Sequence, residues 1–278
     1  MNYKFLILLL SLILIVCAFR PSVHAENFND FTDYILKENP KEIYDEFYSN
    51  IYNKLFENTS NPSAEIKNLI YETVDNSKRF KKDKIKILDL GCGTGKHLHF
   101  LKKYKLKCAG VDNSKKMLEK AEIENRSAQL VHGDFNKQSI FKNREFSHIF
   151  CLFMTVYYAQ DLEKLLKNAN YWLKRKGYFC VHLVEKTPHF KPIKKSFGDF
   201  NYSSTLENNK EESLFEENFL FKNKSKFVKN KHHLKIRKPS YYKFLAKKHG
   251  FSYIKRIDLP SNIFGKNFIY IFEKKYGK

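Results

Sequence analysis

Between Ile87 and Lys96 the chain reads Ile-Leu-Asp-Leu-Gly-Cys-Gly-Thr-Gly-Lys, an apolar run that breaks into alternating glycines before a polar helix start. No other stretch restricts the fold so tightly. Glycine takes up dihedrals that other side chains forbid, so a strand, a glycine-rich turn and a helix bring bare backbone against a ligand. Two nucleotide loops fail on spacing. A Walker A loop needs a glycine at position 90 and Ser or Thr after the lysine, where Leu90 and His97 stand. A dinucleotide fingerprint needs its third glycine one residue later, where Lys96 stands.

The surrounding pattern predicts a parallel sheet with helices on both faces. Strands are expected at 85–90, 107–111, 128–131, 147–153 and 178–184, with helices at 96–104 and 114–124 and another after the capping Asp161. Gly177 is read as the turn into the fifth strand. The rhythm stops over 186–239, where Pro188 and Pro192 precede an Asn- and Ser-rich stretch and alternating Phe215, Phe219, Phe221 and Phe227. That segment is read as an insertion with antiparallel strands. It then resumes with a helix capped by Ser240 and stopped by Gly250, and strands at 253–257 and 268–272.

What remains at the glycine loop is D-x-G-x-G-x-G, and here the chain resembles motif I of the Rossmann-like, class I S-adenosylmethionine-dependent methyltransferases. The resemblance covers roughly 84–185 and 240–275. It implies an α/β, doubly wound, mostly parallel seven-stranded sheet, with S-adenosyl-L-methionine as cofactor. Asp89, Gly91, Cys92, Gly93, Thr94 and Gly95 would meet the amino acid part, Asp89 through its ammonium group. Asp112, with Asn113 beside it, would accept the ribose hydroxyls, a task that suits two carboxylate oxygens. Asp134 and Phe135, in Gly-Asp-Phe, would hold the adenine, with Leu152 near the ring. The chain departs from the family at Ser147-His148, where many members carry an acidic residue, and at Tyr157 and Tyr158, where histidines are common.

Methyl transfer is an in-line displacement driven largely by alignment, so a base is needed only for an acceptor that must lose a proton. Tyr157 is the candidate catalytic residue, with Tyr158, Phe153, Met154 and Glu185 also at strand ends. His182 reads as a satisfied core residue. Tyr44, Tyr48 and Tyr52, on a helix that starts at Asn39-Pro40, can reach the cofactor or pack against the sheet.

Domain boundaries follow: an N-terminal signal anchor or signal peptide (1–25), a helical N-terminal extension (26–83), a cofactor-binding core (84–185), a substrate cap (186–239) and the completion of the core (240–278). The uncharged run from Phe5 to Phe19 lies between the usual signal core and a full span. A membrane anchor through residues 5–19 is the favoured reading, with secretion after cleavage at Val23-His24-Ala25 as the alternative. Five cysteines without a C-x-x-C pair point to no metal site and to a reducing compartment.

The formal net charge of +21 suggests an anionic partner. Only seven of the 51 basic residues are Arg, however, and abundant Lys, Asn, Ile, Phe and Tyr also follow from an AT-rich coding sequence. From Asn218 to Ile257 there are thirteen Lys or Arg and no acid. A solvated cap with an aromatic core is favoured there over a nucleic-acid or lipid surface. The expected acceptor is a small molecule or a protein. The alternative is a catalytically silent module that binds RNA or anionic membrane through the cap.

Overall fold

The computed structural model describes residues 33–185, 190–208, 212–223 and 225–275. The described chain opens with β1 (Asp33–Lys37), then α1 (Pro40–Ile43), α2 (Glu46–Leu55) and α3 (Pro62–Ile70). Asn39 caps α1 by accepting from Lys41 N–H, as its place before Pro40 predicts. The expected single helix is nevertheless two. Tyr44 leaves helical dihedrals with ψ of 51°, and Asp45 starts α2 by accepting from Tyr48 N–H at 2.8 Å. A second strong capping residue inside the run restarts the helix, and the break turns Tyr44 away from the α2 face.

The alternating core continues with β2 (Lys86–Leu90), α4 (Lys96–Leu101), β3 (Lys107–Asp112), α5 (Lys115–Glu124), β4 (Gln129–His132), β5 (Phe146–Cys151), α6 (Leu162–Trp172) and β6 (Leu173–Val184). Ser114 and Asp161 cap α5 and α6. Strand β5 is buried at every position, as a central parallel strand covered on both faces must be. Gly177 lies inside β6, next to a register shift against β5, and does not turn the chain.

Four antiparallel strands follow, β7 (Lys194–Ser196), β8 (Phe200–Asn208), β9 (Ser213–Phe221) and β10 (Lys226–Leu234), then α7 (Pro239–Lys248), β11 (Phe251–Asn262) and β12 (Gly265–Lys274). Ser240 does not cap α7. Pro239 is the first helical residue and Lys238 occupies the capping position without a side-chain bond.

The main sheet has seven strands in the order β11-β12-β6-β5-β2-β3-β4, with β12 antiparallel to both neighbours and the rest of the core parallel. The strand order reverses at β2, so a crevice opens outside the carboxyl ends of β2 and β5. The cap is a second sheet, β1-β10-β9-β8-β7. Its first strand corrects the all-helical reading of the N-terminal segment: β1 pairs parallel with β10, Ile35 opposite Val228. Cap and core share one hydrophobic cluster in which Phe215, Phe219 and Tyr202 join Leu88, Ile149 and Trp172, while Ile66, Ile87, Leu98 and Phe150 fill the other side.

No helix among the described residues is long and apolar enough to cross a membrane. The run 5–19 expected to do so lies outside the described residues.

Candidate active site

Strand β2 ends at Leu90, and the backbone turns sharply at Gly91, with φ of +63°. A Cβ there would sit 2.5 Å from Thr155 Cγ2, so the turn from β5 packs directly on the glycine. Gly93 has φ of +54°, and a Cβ there would meet only Met117 Cε at 3.4 Å, so this position opens toward free space. The loop is pinned from three sides. Cys92 N–H donates to Val111 O at 3.0 Å, Gly93 N–H donates to Asp112 Oδ2 at 2.9 Å, and Thr94 Oγ1 donates to Asn53 Oδ1 of α2 at 2.8 Å.

One cavity runs along this loop. Of the residues expected to hold the cofactor, Gly91, Cys92, Gly93, Thr94, Asp112, Asn113, Asp134, Phe135 and Leu152 line it. Asp89 and Gly95 do not; they lie behind the loop. Asp112 is held by its own strand end: Oδ1 accepts from Ser114 N–H at 2.9 Å while Oδ2 takes Gly93 N–H. Burial pushes its carboxyl up, and the backbone donors of Ser114, Gly93 and Asn113 oppose the rise. Asp134 Oδ1 accepts from the backbone and side chain of Asn136, and Phe135 O accepts from Asn168 Nδ2 of α6 at 2.9 Å.

Beneath the loop lies a feature that spacing did not disclose. Glu65 of α3 and His97 of α4 meet at 3.1 Å, both buried. Burial is the largest single influence and opposes charge on each, yet their hydrogen bond and the surrounding charge attractions together outweigh it, holding the Glu65 carboxyl below its ordinary value and His97 above its own.

Residues 87–177 match the methyltransferase domain family. The fold agrees with solved methyltransferases. An S-adenosylmethionine-dependent methyltransferase from Clostridium acetobutylicum superposes with a TM-score of 0.68 at 20% identity, covering 83% of this chain and 98% of that one. The CcbJ methyltransferase from Streptomyces caelestis gives 0.68 at 15%, covering 84% and 98%. The sugar N-methyltransferase KedS8 from Streptoalloteichus gives 0.65 at 16%, covering 82% and 93%. No curated protein matches the chain. Residues 87–177 thus carry the methyltransferase domain pattern, on the seven-stranded fold that the solved methyltransferases share.

S-adenosylmethionine, the cofactor of this methyltransferase class, fits what the residues leave open. Asp89 Oδ2 is buried without a hydrogen-bond partner. Burial pushes the Asp89 carboxyl up to about 6, against the pull of His97 and with the push of Asp112 and Glu65. A buried carboxylate short of one partner, behind a loop that exposes backbone at Gly93, is a cradle for a cationic group.

A further part of the cavity wall is built by the turn after β5. Phe153 and Met154 both have positive φ, 41° and 63°, a strained pair of the kind that gathers at functional sites. His182 holds the strain in place: its Nδ1 accepts from Phe153 N–H at 3.1 Å, and Nε2 donates to Asn267 Oδ1 at 2.9 Å. Burial keeps His182 below its ordinary value. It is the satisfied residue that its place in a strand predicts.

Tyr157 is placed differently from the expectation that it faces an acceptor. It is absent from the cavity wall, buried, and its Oη accepts from Val184 N–H at 2.6 Å. The next residue points the other way: Tyr158 lines the cavity, with Tyr44, Tyr52, Phe56 and Phe153. Tyr48 packs against the cap instead, beside Phe219. Met154 is buried off the cavity and Glu185 is exposed outside it.

Behind Tyr158 stands a chain of polar groups from the cap. Tyr158 Oη and His232 Nδ1 are 2.8 Å apart, and His232 Nε2 and Glu217 Oε2 are 2.8 Å apart. Tyr202 Oη donates to Glu217 Oε1 at 2.7 Å, and Asn230 Nδ2 reaches Oε2 at 3.4 Å. Glu217 is fully buried and lies in the same register row as Phe215 and Phe219 on β9. That parity was visible: a carboxylate two residues from each of two inward phenylalanines has to face inward with them.

Proposed function

We propose that the protein transfers the methyl group of S-adenosylmethionine to a small-molecule acceptor held between the strand-end cavity and the cap sheet. The observation that carries this reading is the convergence of the glycine loop with Asp112 and Asp134, from the ends of β3 and β4, on one cavity. Asp112 is positioned to accept the ribose hydroxyls, and Phe135 with Leu152 to flank the adenine. Asp89 supplies negative charge under the ammonium group. When bound, the cofactor supplies a sulfonium methyl carbon open to in-line attack. The chain's own work is to orient the acceptor, keep water out through the aromatic wall of Tyr44, Tyr52, Phe56 and Phe153, and receive a proton where the acceptor carries one.

The acceptor class draws on two supports. The aromatic wall suits a compact ligand, and a neutral amine that becomes cationic as it is methylated gains from cation–π attraction to the tyrosine faces. KedS8, which shares the fold, is a sugar N-methyltransferase. The basic stretch favours no extended nucleic acid, because Lys229 and Lys231 of the cap, Lys248 of α7 and Lys255 of β11 already pair with Glu216, Glu38, Glu163 and Glu72.

Calorimetry with S-adenosylmethionine is the deciding experiment. Heat of binding is expected from the wild type and not from Gly93→Arg, whose side chain would fill the open position. No heat from the wild type, or equal heat from both, rejects the reading.

A further inference from the structure

We propose that Tyr158 is the catalytic proton acceptor of this methyltransferase, with His232 and Glu217 of the cap as the positioning residues that take the proton onward. The inference rests on the methyltransferase reading and adds that the acceptor reacts through an N–H or O–H group.

Three side chains from three elements are aligned end to end. Tyr158 belongs to the 3-10 turn Thr155–Tyr158 and lines the cavity. His232 belongs to β10, Glu217 to β9, and both are buried under the aromatic face of the cap. The Glu217 carboxylate accepts from Tyr202 and Asn230 and has no proton to give, so its 2.8 Å contact with His232 Nε2 needs a donor there. That puts the imidazole proton on Nε2 and leaves Nδ1 to accept from the Tyr158 hydroxyl. Tyr44, which also lines the cavity, packs edge-on against Tyr158 with ring centroids 6.2 Å apart. The titratable groups facing His232 are therefore Glu217 from β9, Tyr158 from the turn, and Tyr44 and Tyr48 from the α1 and α2 segment.

The arrangement has the logic of a nucleophile, a base and an orienting carboxylate, shifted by one member. The first member is a tyrosine that relays a proton without ever standing free as a phenolate. Burial raises the Tyr158 hydroxyl well above its ordinary value, so its proton leaves only as another arrives. The acceptor lone pair forms the new bond to the methyl carbon, and the carbon–sulfur bond breaks with its electron pair on sulfur. The acceptor proton passes to Tyr158 Oη, and the Tyr158 proton passes to His232 Nδ1. The imidazolium that results is bonded to the Glu217 carboxylate, so the new charge is met where it forms. No further reactant is required.

A purely structural account of Glu217 fails on cost. Removing a carboxylate from water into an aromatic sheet face costs several kcal/mol. A leucine in the Phe215 and Phe219 row would fill that space without it.

Two measurements test the proposal on the full chain. In protein labelled with 15N-histidine, His232 is identified by its loss in His232→Gln. It should show the Nε2–H tautomer at neutral pH, with an Nδ1 resonance that moves when Tyr158→Phe removes the donated bond. A proton on Nδ1, or an Nδ1 resonance indifferent to Tyr158→Phe, overturns the relay. In the second, S-[methyl-3H]adenosylmethionine is incubated with hexosamines, hexoses and a small-molecule extract of the source cells. Label should reach an N–H or O–H compound, and Tyr158→Phe should lower kcat about 100-fold. The same variant should leave acceptor KM and calorimetric donor affinity within about 2-fold, the split that separates proton transfer from binding. Wild-type kcat in Tyr158→Phe, or label reaching no such compound from an enzyme that binds the donor, overturns the proposal. Failure of the wild type to bind the donor rejects the methyltransferase reading instead and leaves the histidine spectrum standing.

Discussion

Asp89 is a carboxylate held near the edge of ionisation, at about 6, by its burial. Binding an ammonium group needs the charged form, so cofactor affinity should fall about 10-fold per pH unit below that value and level off above it. Calorimetry across the acid range reads this directly; a flat affinity would show that Asp89 carries no part of the binding. The same carboxyl affects stability with a definite sign. Its folded value lies above the ordinary one, so it lowers fold stability as pH rises toward 6 and beyond. His148 acts the other way, because burial holds it at about 4 and folding weakens as pH falls from the ordinary histidine value toward that point. Asp89→Asn should therefore be more stable than the wild type at neutral pH, by roughly 1–3 kcal/mol, while binding no cofactor. Its stability should also drop more steeply on acidification, because the opposing contribution of Asp89 is gone. Urea denaturation at several pH values checks both. At this scale Asp112 and Asp134 were legible as cavity residues because each comes at or just past the end of an apolar strand, whereas Asp89 lies inside β2. His232 and Glu217 were not, since their meeting depends on the register of two insertion strands.

At the scale of elements, the order and type of the core pieces were legible, because continuous apolar runs and capping residues mark each one, while several bounds differ, as where β6 starts at Leu173 and not after Gly177. The N-terminal segment was not. Its four-residue apolar spacing crosses the break at Tyr44, where Asp45 outcompetes continuation of the helix, and β1 is too short to show its alternation. The break aims Tyr44 at the cavity, so the cap of α2 has a functional role. Asp45→Ala should cost about 1 kcal/mol of stability, read by thermal or chemical unfolding, and should weaken acceptor binding more than donor binding. Strand β1 closes an edge of the cap. Ile35→Pro removes a donor from its ladder, and hydrogen exchange over 226–230 should then speed up while β2 and β3 keep their protection. Unchanged exchange would mean that the parallel pairing contributes nothing to holding β10.

For the molecule as a whole, the excess of positive charge is spread over a surface where individual ion pairs are worth little. Self-repulsion among the lysines dominates the salt response, so raising ionic strength should raise Tm. A melt series in sodium chloride tests this, and a falling Tm would show that pairs such as Lys255 with Glu72 outweigh the repulsion. The folded chain is also closed late by its connectivity. While the protein is being made, β1 leaves the ribosome early and has no partner until Lys226–Asn230 follow. The sheet waits longer still, because β12, which lies between β6 and β11, is the last strand in chain order among the described residues. A chain released at a premature stop before Gly265 would leave β6 with a bare edge and β11 with no neighbour. Incomplete translation products would thus present unpaired strands to cellular proteases, and only a chain translated through β12 could assemble a working site.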